Sequence, residues 1–355
     1  MLDGSPRILI IRPTALGDVA RTVPALVSLR HHLGDQARID WLVSDACVDA
    51  VRHHPMLDGV VAFPRQRFGQ AALHPGVLRE VWQWTRTLRQ ARYDMVFDLQ
   101  GLFRSGLFTR LTGAPRRVGF ANAREGGWFG YHRRHRHHVP ISLHTVDRML
   151  ALLEHDGIPI THDLRLYTAP EDEHWCDTLL REHDPAAALD DVSCIAPTAR
   201  WLCKCWPIEG YTQIAKQLLD TGSAGSRLVV LAAPSERGQV QPLLDALPPP
   251  QRERVLLPTT TVGQMMALVR RARLLVCNDS APLHMAVGFD RPIVSLFGPT
   301  DPARVGPYRR PDAVLQPPEC SPADFRYRRH RDDQTLIARI TPDRVWSAIQ
   351  FQLSR

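Results

Sequence analysis

Short apolar runs alternate along this chain with longer stretches whose apolar residues recur at helical spacing, and few folds accommodate that alternation. Arg7-Ile8-Leu9-Ile10-Ile11 reads as a strand and Pro13 to Asp18 as a turn. Val19 to His32 reads as a helix, with Val19, Val23, Leu26, Val27 and Leu29 on one face. Ile39 to Val43 and Val60 to Phe63 follow as strands, then a helix through Val77 to Gln90 and the strand Met95 to Leu99. The second half repeats the pattern. Cys194 to Ala196, Leu228 to Ala232, Leu274 to Cys277 and Ile293 to Phe297 read as strands, with helices over Tyr211 to Leu219, Val262 to Arg271 and Leu283 to Val287. Strands separated by helices form parallel sheets covered on both faces. The expected class is therefore α/β, with two successive parallel αβ sheets and a cleft between them.

Length supports two cores rather than one, since 355 residues exceed what a single core usually organises. Asp163 to about Asp191 is polar and rich in proline and acids, which places the expected boundaries at 1–165 for the first domain, 166–191 for the connection and 192–340 for the second. Thr341 to Leu353 is amphipathic with Asp343 in its first turn, as a closing helix requires. Glycine-rich Gly-x-Gly-x-x-Gly and Walker sequences are absent, which argues against nicotinamide and P-loop enzymes.

The chain carries a net charge of +7, and its densest basic run is Tyr131-His132-Arg133-Arg134-His135-Arg136-His137-His138. Such a run fits an acidic partner or forms a solvated surface loop. No nucleic-acid-binding module accompanies it, so an anionic membrane surface or phosphorylated glycolipid is the expected partner and nucleic acid is not. The opening strand is unlike a signal peptide and no apolar run reaches membrane-spanning length, so the expected location is cytoplasmic. Seven scattered cysteines suit reduced thiols. Cys203 and Cys205 lack a second pair at zinc spacing, so no metal is expected.

Four stretches carry the chemistry. Asp18 ends the first strand's turn, where a carboxylate either caps the following helix or accepts a proton from a bound hydroxyl. Pro197 to Pro207 follows a strand and holds Arg200 and Lys204, two cations able to clamp a diphosphate. Glu236 follows the next strand and either binds ribose hydroxyls or caps a helix, while Thr260 is expected to start a helix beside a nucleotide base. Asn278-Asp279-Ser280-Ala281-Pro282-Leu283-His284 ends a strand and opens a helix with proline expected at its first position, so that free N–H groups point outward to a phosphate or sugar.

Taken together, Thr14-Ala15-Leu16-Gly17-Asp18, Asp98-Leu99-Gln100-Gly101-Leu102, Arg200-Trp201 with Lys204 and Trp206-Pro207, Asn278-Asp279-Ser280 with Pro282 and His284, and Phe297-Gly298-Pro299-Thr300-Asp301-Pro302 resemble glycosyltransferase family 9. The resemblance spans nearly the whole chain in the right order. Asn122-Ala123-Arg124-Glu125 and His144 to Arg148 look most like its heptosyltransferase I branch. It implies a GT-B fold of two Rossmann-like domains with parallel sheets facing across a cleft, a final helix in 341–355 that crosses back onto the first domain, and inverting transfer of heptose from ADP-L-glycero-β-D-manno-heptose without a metal or other cofactor.

By the same resemblance, Asp18 is the general base. Thr198, Arg200, Lys204, Glu236, Thr260, Asp279, Ser280, Ala281 and His284 bind the donor. Arg65, Arg67, Gln100 and Arg124 meet a phosphorylated Kdo-lipid A type acceptor at the cytoplasmic face of the inner membrane. Many relatives have glycine where Ala281 stands, and Arg200 and Lys204 lie one residue further apart than in the heptosyltransferase I loop. The competing expectations are a GT-B enzyme using another nucleotide sugar or a protein acceptor, and a non-catalytic basic binding protein.

Overall fold

The structure is a computed structural model and describes residues 5–70, 74–222, 225–325 and 331–355. The chain divides into two units, Met1–Tyr167 and Thr168–Arg355. Among the described residues, the first unit holds the strands β1 (Arg7–Ile11), β2 (Arg38–Ser44), β3 (Gly59–Phe63), β4 (Met95–Asp98), β5 (Arg116–Phe120) and β6 (Arg136–His137). They form one parallel sheet in the order β3-β2-β1-β4-β5-β6. The second unit holds β7 (Val192–Ala196), β8 (Arg227–Val230), β9 (Val255–Leu256), β10 (Leu274–Asn278), β11 (Ile293–Leu296) and β12 (Val314–Leu315). Their order, β12-β11-β10-β7-β8-β9, is the same topology read from the other edge.

This order creates a switch point in each unit. In the first, the connection leaving β1 runs towards β2 and the one leaving β4 runs towards β5. In the second, β7 and β10 diverge in the same way. Loops that part in opposite directions leave a crevice at the carboxyl ends of the strands, where α/β folds bind ligands. Asp18, Gln100, Lys204 and Asp279, four of the expected site residues, each follow one of these four strands.

Burial explains why the central strands read as unbroken apolar runs. Ile8, Leu9, Ile10 and Ile11 are all fully buried, because helices cover both faces of β1. On one face Phe63 of β3 meets Phe68 at 5.6 Å and Phe108 at 4.8 Å, and Trp84 lies 5.2 Å from Phe108. That cluster seats the helices Pro75–Gln90 and Phe103–Leu111. In the second unit Ile195, Val276, Ile214 and Leu218 share a core with Val345 and Ile349 of the last helix, Pro342–Leu353. That helix, expected to return to the first domain, contributes these side chains to the core of the second unit.

Several local readings change. The helix expected over Val19 to His32 is two helices, Leu16–Ala20 and Val23–Leu33. Pro24 lacks the N–H that a continuous helix needs and its ring crowds the preceding turn, so the second helix starts just ahead of it. Within the expected connection 166–191, Pro170–His183 forms a helix whose Glu173 and Asp177 pair with Arg271 of the helix Val262–Arg271. Two of the acids that suggested a connection are therefore partners of a second-unit arginine. The outer strands β6, β9 and β12 are two residues each, too short for any period to register in sequence.

Candidate active site

Asp18 lies in the first turn of Leu16–Ala20, at the carboxyl end of β1, with its side chain 29% exposed. Arg21 donates to its Oδ1, the Arg12 Nη2 lies 3.3 Å from its Oδ2, and the Ala15 N–H reaches the same oxygen at 3.3 Å. Arg12 is itself anchored by the Leu99 carbonyl at 2.5 Å, which ties the turn after β1 to the end of β4. Burial alone would raise the Asp18 pKa, but the charges of Arg12 and Arg21 outweigh it and hold the carboxyl well below its ordinary value of 3.8. Capping and exposure coexist here, since a carboxylate offers about four acceptor sites and the three donors leave one outward. Sequence reasoning missed both arginines. The available signal was Arg21 at i+3 of Asp18, a spacing that brings helical neighbours together.

The neighbouring loop is shaped by Asp98, which is fully buried at the end of β4. Its Oδ1 accepts the N–H groups of Gln100 at 2.9 Å and Gly101 at 3.0 Å, and its Oδ2 accepts the Tyr131 hydroxyl at 2.6 Å. Burial pushes the Asp98 pKa up, against the pull of these donors. Gly101 has φ +70°, the left-handed conformation glycine adopts without strain, and this turns Gln100 towards the first loop. Gln100 then exchanges two long contacts of 3.4 Å with Thr14. The Arg124 N–H donates to the Gly101 carbonyl at 2.9 Å, so Arg124 joins this edge with its side chain exposed. Arg65 is exposed on the short helix Arg65–Phe68, whereas Arg67 forms a two-point ion pair with Glu80 at 3.1 and 2.8 Å.

In the second unit the buried Asn278 organises the site. Its Oδ1 accepts the Trp206 N–H at 3.0 Å and the Tyr211 hydroxyl at 2.9 Å, and its Nδ2 donates to the Pro197 carbonyl at 2.7 Å. Both ends of the Pro197–Trp206 loop are thus fastened to the end of β10. Trp206 also donates its indole N–H to the Ile340 carbonyl at 2.8 Å and packs edge-on against Tyr211 at 5.2 Å. The loop delivers Lys204 to Asp279, Nζ to Oδ2 at 2.6 Å, with the side chains 17% and 8% exposed. Asn278→Ala strands a buried N–H, a hydroxyl and a carbonyl together. It is expected to cost about 3 kcal/mol in a denaturant titration and to weaken donor binding by loosening Lys204.

Ser280 precedes the helix Ala281–Gly288, so Ala281 is its first residue and Pro282 its second, one place later than expected. His284 is buried one turn in. Glu236 takes the capping role, its Oε2 accepting the Ala233 N–H at 2.9 Å and also the Thr198 hydroxyl at 2.8 Å. Thr198 and Glu236 therefore stand together after β7 and β8. Thr260 does not start the next helix. Thr261 is the cap, its hydroxyl accepting the Gln264 N–H at 3.1 Å while Gln264 answers the Thr261 N–H at 3.0 Å, and Thr260 lies just before it. Arg200 is exposed and stacks over Trp201 at 5.1 Å.

All seven cysteines are free thiols. Cys205 faces the carbonyls of Ala199 and Trp201, and burial pushes its thiol up to about 11. Among the described residues one group brings three possible metal ligands within 4.8 Å of each other: His135, His137 and Asp156. Both carboxylate oxygens of Asp156 are already engaged, by His135 at 2.8 Å and His137 at 3.0 Å on one side and Arg116 at 2.7 Å on the other. The cluster anchors the basic run to the helix Thr145–His155, and part of that run is therefore structural.

The sequence model of Glycosyltransferase family 9 (heptosyltransferase) matches residues 81–331. Lipopolysaccharide heptosyltransferase 1 of Pseudomonas aeruginosa is 25% identical over 364 residues, covering 98% of this chain and 98% of that protein. Lipopolysaccharide heptosyltransferase 2 of Escherichia coli is 26% identical over 323 residues, covering 87% and 88%. Among solved structures, E. coli heptosyltransferase WaaC with ADP-2-deoxy-2-fluoro heptose shares the fold, with a TM-score of 0.75 and 22% identity over 97% of this chain and 99% of that one. The family 9 glycosyltransferase of Veillonella parvula shares it with a TM-score of 0.82 and 21% identity, covering 100% and 99%. Two parallel six-stranded sheets of Rossmann topology, switch-point sites on both and a family match over most of the length agree: the chain has the GT-B fold and belongs to glycosyltransferase family 9, the heptosyltransferases.

Proposed function

We propose that this protein transfers heptose from ADP-L-glycero-β-D-manno-heptose, with inversion, to a phosphorylated Kdo-lipid A type acceptor in lipopolysaccharide core assembly, as a heptosyltransferase I. The relatives' names support the donor and the pathway. The observation that carries the reading is the Lys204–Asp279 pair, held beside a helix start after β10. The Lys204 ammonium meets the diphosphate while Asp279 presents its carboxylate to sugar hydroxyls. N–H groups at the start of Ala281–Gly288 add positive potential where ADP leaves. Thr198 and Glu236, bonded to each other, take the ribose hydroxyls.

On the first unit, Asp18 takes the proton of the attacking acceptor hydroxyl. As the new bond forms, the sugar becomes oxocarbenium-like, the bond to ADP breaks and negative charge grows on the diphosphate. Lys204 and the helix start stabilise that charge electrostatically. A strongly depressed carboxylate is a weak base, so proton transfer occurs late, once attack has made the hydroxyl acidic. Gln100 and Arg124 border the acceptor on the same sheet edge, with Arg65 near it. Arg67 serves the acceptor less directly because Glu80 already holds it. No helix among the described residues is long and apolar enough to cross a membrane, and the proposed enzyme meets its lipid-linked acceptor at the cytoplasmic face of the inner membrane.

The test is incubation of the purified protein with Kdo-lipid A and ADP-, UDP- or GDP-linked sugars. ADP release with one heptose added to the lipid, its anomeric configuration opposite to the donor's, is the expected result. Transfer from a UDP- or GDP-sugar in preference, or retention of configuration, overturns the reading.

A further inference from the structure

Tyr131 opens the densest basic run of the chain, yet its side chain is buried. Its hydroxyl donates to Oδ2 of Asp98 at 2.6 Å, across 33 residues of sequence. Room for the ring comes from Gly119 of β5, since a Cβ at that position would collide with it. The stretch 124–130 that leads to Tyr131 rests on bare backbone as well. Gly127 abuts the Leu102 carbonyl, where an added Cβ would stand 2.6 Å from the oxygen, and it meets Gly106 of the helix Phe103–Leu111 backbone to backbone. The loop after β5 is thus pressed onto the chain that follows β4, and this contact delivers Tyr131 to the end of β4.

Asp98 passes the constraint on. It is fully buried, and its Oδ1 holds the N–H groups of Gln100 and Gly101 at 2.9 and 3.0 Å. Those two bonds form the turn that aims Gln100 at Thr14, and the Gly101 carbonyl then accepts the Arg124 N–H at 2.9 Å. The Gln100 amide itself makes only long contacts of 3.4 Å, and the Arg124 side chain is exposed. Both groups are therefore placed by their backbone, and that backbone is held by Asp98. A buried carboxylate needs all of its donors, so losing one of them loosens what the others hold.

We propose that Tyr131 is a positioning residue for the acceptor: acting through Asp98, it fixes the turn at Gln100 and Gly101 and with it the acceptor-side groups Gln100 and Arg124, without touching substrate. The inference rests on the acceptor role proposed above for those two residues and extends it to the buried pair behind them. The donor groups Lys204 and Asp279 belong to the second unit and do not depend on this turn.

The test is Tyr131→Phe, which removes the hydroxyl and keeps the ring against Gly119, so that circular dichroism is unchanged. Hydrogen exchange of the full chain, read by mass spectrometry without donor or acceptor, is the first measurement. Peptides covering 98–102 are expected to exchange slowly in wild type and about tenfold faster in the variant, with peptides of the second unit unaffected. Steady-state transfer to Kdo-lipid A is the second. The acceptor KM is expected to rise about tenfold while kcat stays within about threefold and the donor Kd is unchanged. Fast exchange of 98–102 in wild type, or equal exchange in the two proteins, overturns the proposal whatever the acceptor is. Faster exchange with a fall in kcat alone also overturns it, since a residue that only supports the fold lowers the active fraction and leaves KM in place. Absence of transfer by wild type would count against the transferase reading, while the exchange result still decides whether Tyr131 holds the turn.

Discussion

Asp18→Ala is expected to leave ADP-heptose binding within a few fold and to reduce transfer by about 10² to 10⁴, the usual contribution of a positioned base. Isothermal titration for the donor and single-turnover transfer for the rate separate the two effects. Undiminished turnover would remove Asp18 from the mechanism. The pH dependence follows from its surroundings. With Arg12 and Arg21 against it, the folded-state carboxyl titrates below its ordinary 3.8. Its ionised form therefore persists as pH falls through the normal carboxylate range and is lost only below it. The acid limb of kcat/KM due to Asp18 should lie under pH 4, and the ion pair's contribution to stability should likewise be present above 3.8 and vanish only at lower pH. Arg21→Met removes one of the two opposing charges and leaves burial less opposed, so the limb should move up. A limb that stays in place would mean that Arg21 does not govern the base.

Lys204→Met is the second large effect expected, with a loss of about 10² to 10³ in kcat, the scale of removing one group that meets developing charge. The measurement is steady-state transfer over a range of donor concentration, in which kcat should fall along with kcat/KM. There is also a structural component, because Asp279 is 8% exposed and would be left without its cation. Breaking a buried pair from one side costs more than removing both partners. Lys204→Met with Asp279→Asn should therefore melt at a higher temperature than Lys204→Met alone while remaining inactive. A double variant no more stable than the single would show that the pair contributes little to the fold. Unchanged kcat in the single variant would exclude Lys204 from the leaving group.

The legibility of this protein differed between its central and peripheral strands. β1, β2, β7 and β10 are long, apolar and buried on both faces, so their residues read as strands without reference to anything distant. β6 is Arg136-His137, and its strand character comes from pairing with Gly119 and Phe120 of β5 rather than from its own composition. The connection 166–191 was misleading for a related reason. Its acids look solvated until Arg270, Arg271 and Arg273 are placed beside Glu173, Asp177 and Asp191.

The amino-acid sequence by itself determined the class of fold, the strand ends proposed to carry function and the family, because these rest on local periodicity and on motifs whose residues are neighbours in the chain. Lys204, Asp279, Asp18 and Gln100 were all visible in that way. Only the tertiary structure decided how those groups are tuned. Arg12 and Arg21 close on Asp18, Asn278 gathers residues 197, 206 and 211, and Asp156 gathers Arg116, His135 and His137. The physical reason is that a pKa or an anchored loop depends on charges and donors within a few ångströms, and most of those partners are brought there by parallel pairing of strands far apart in sequence.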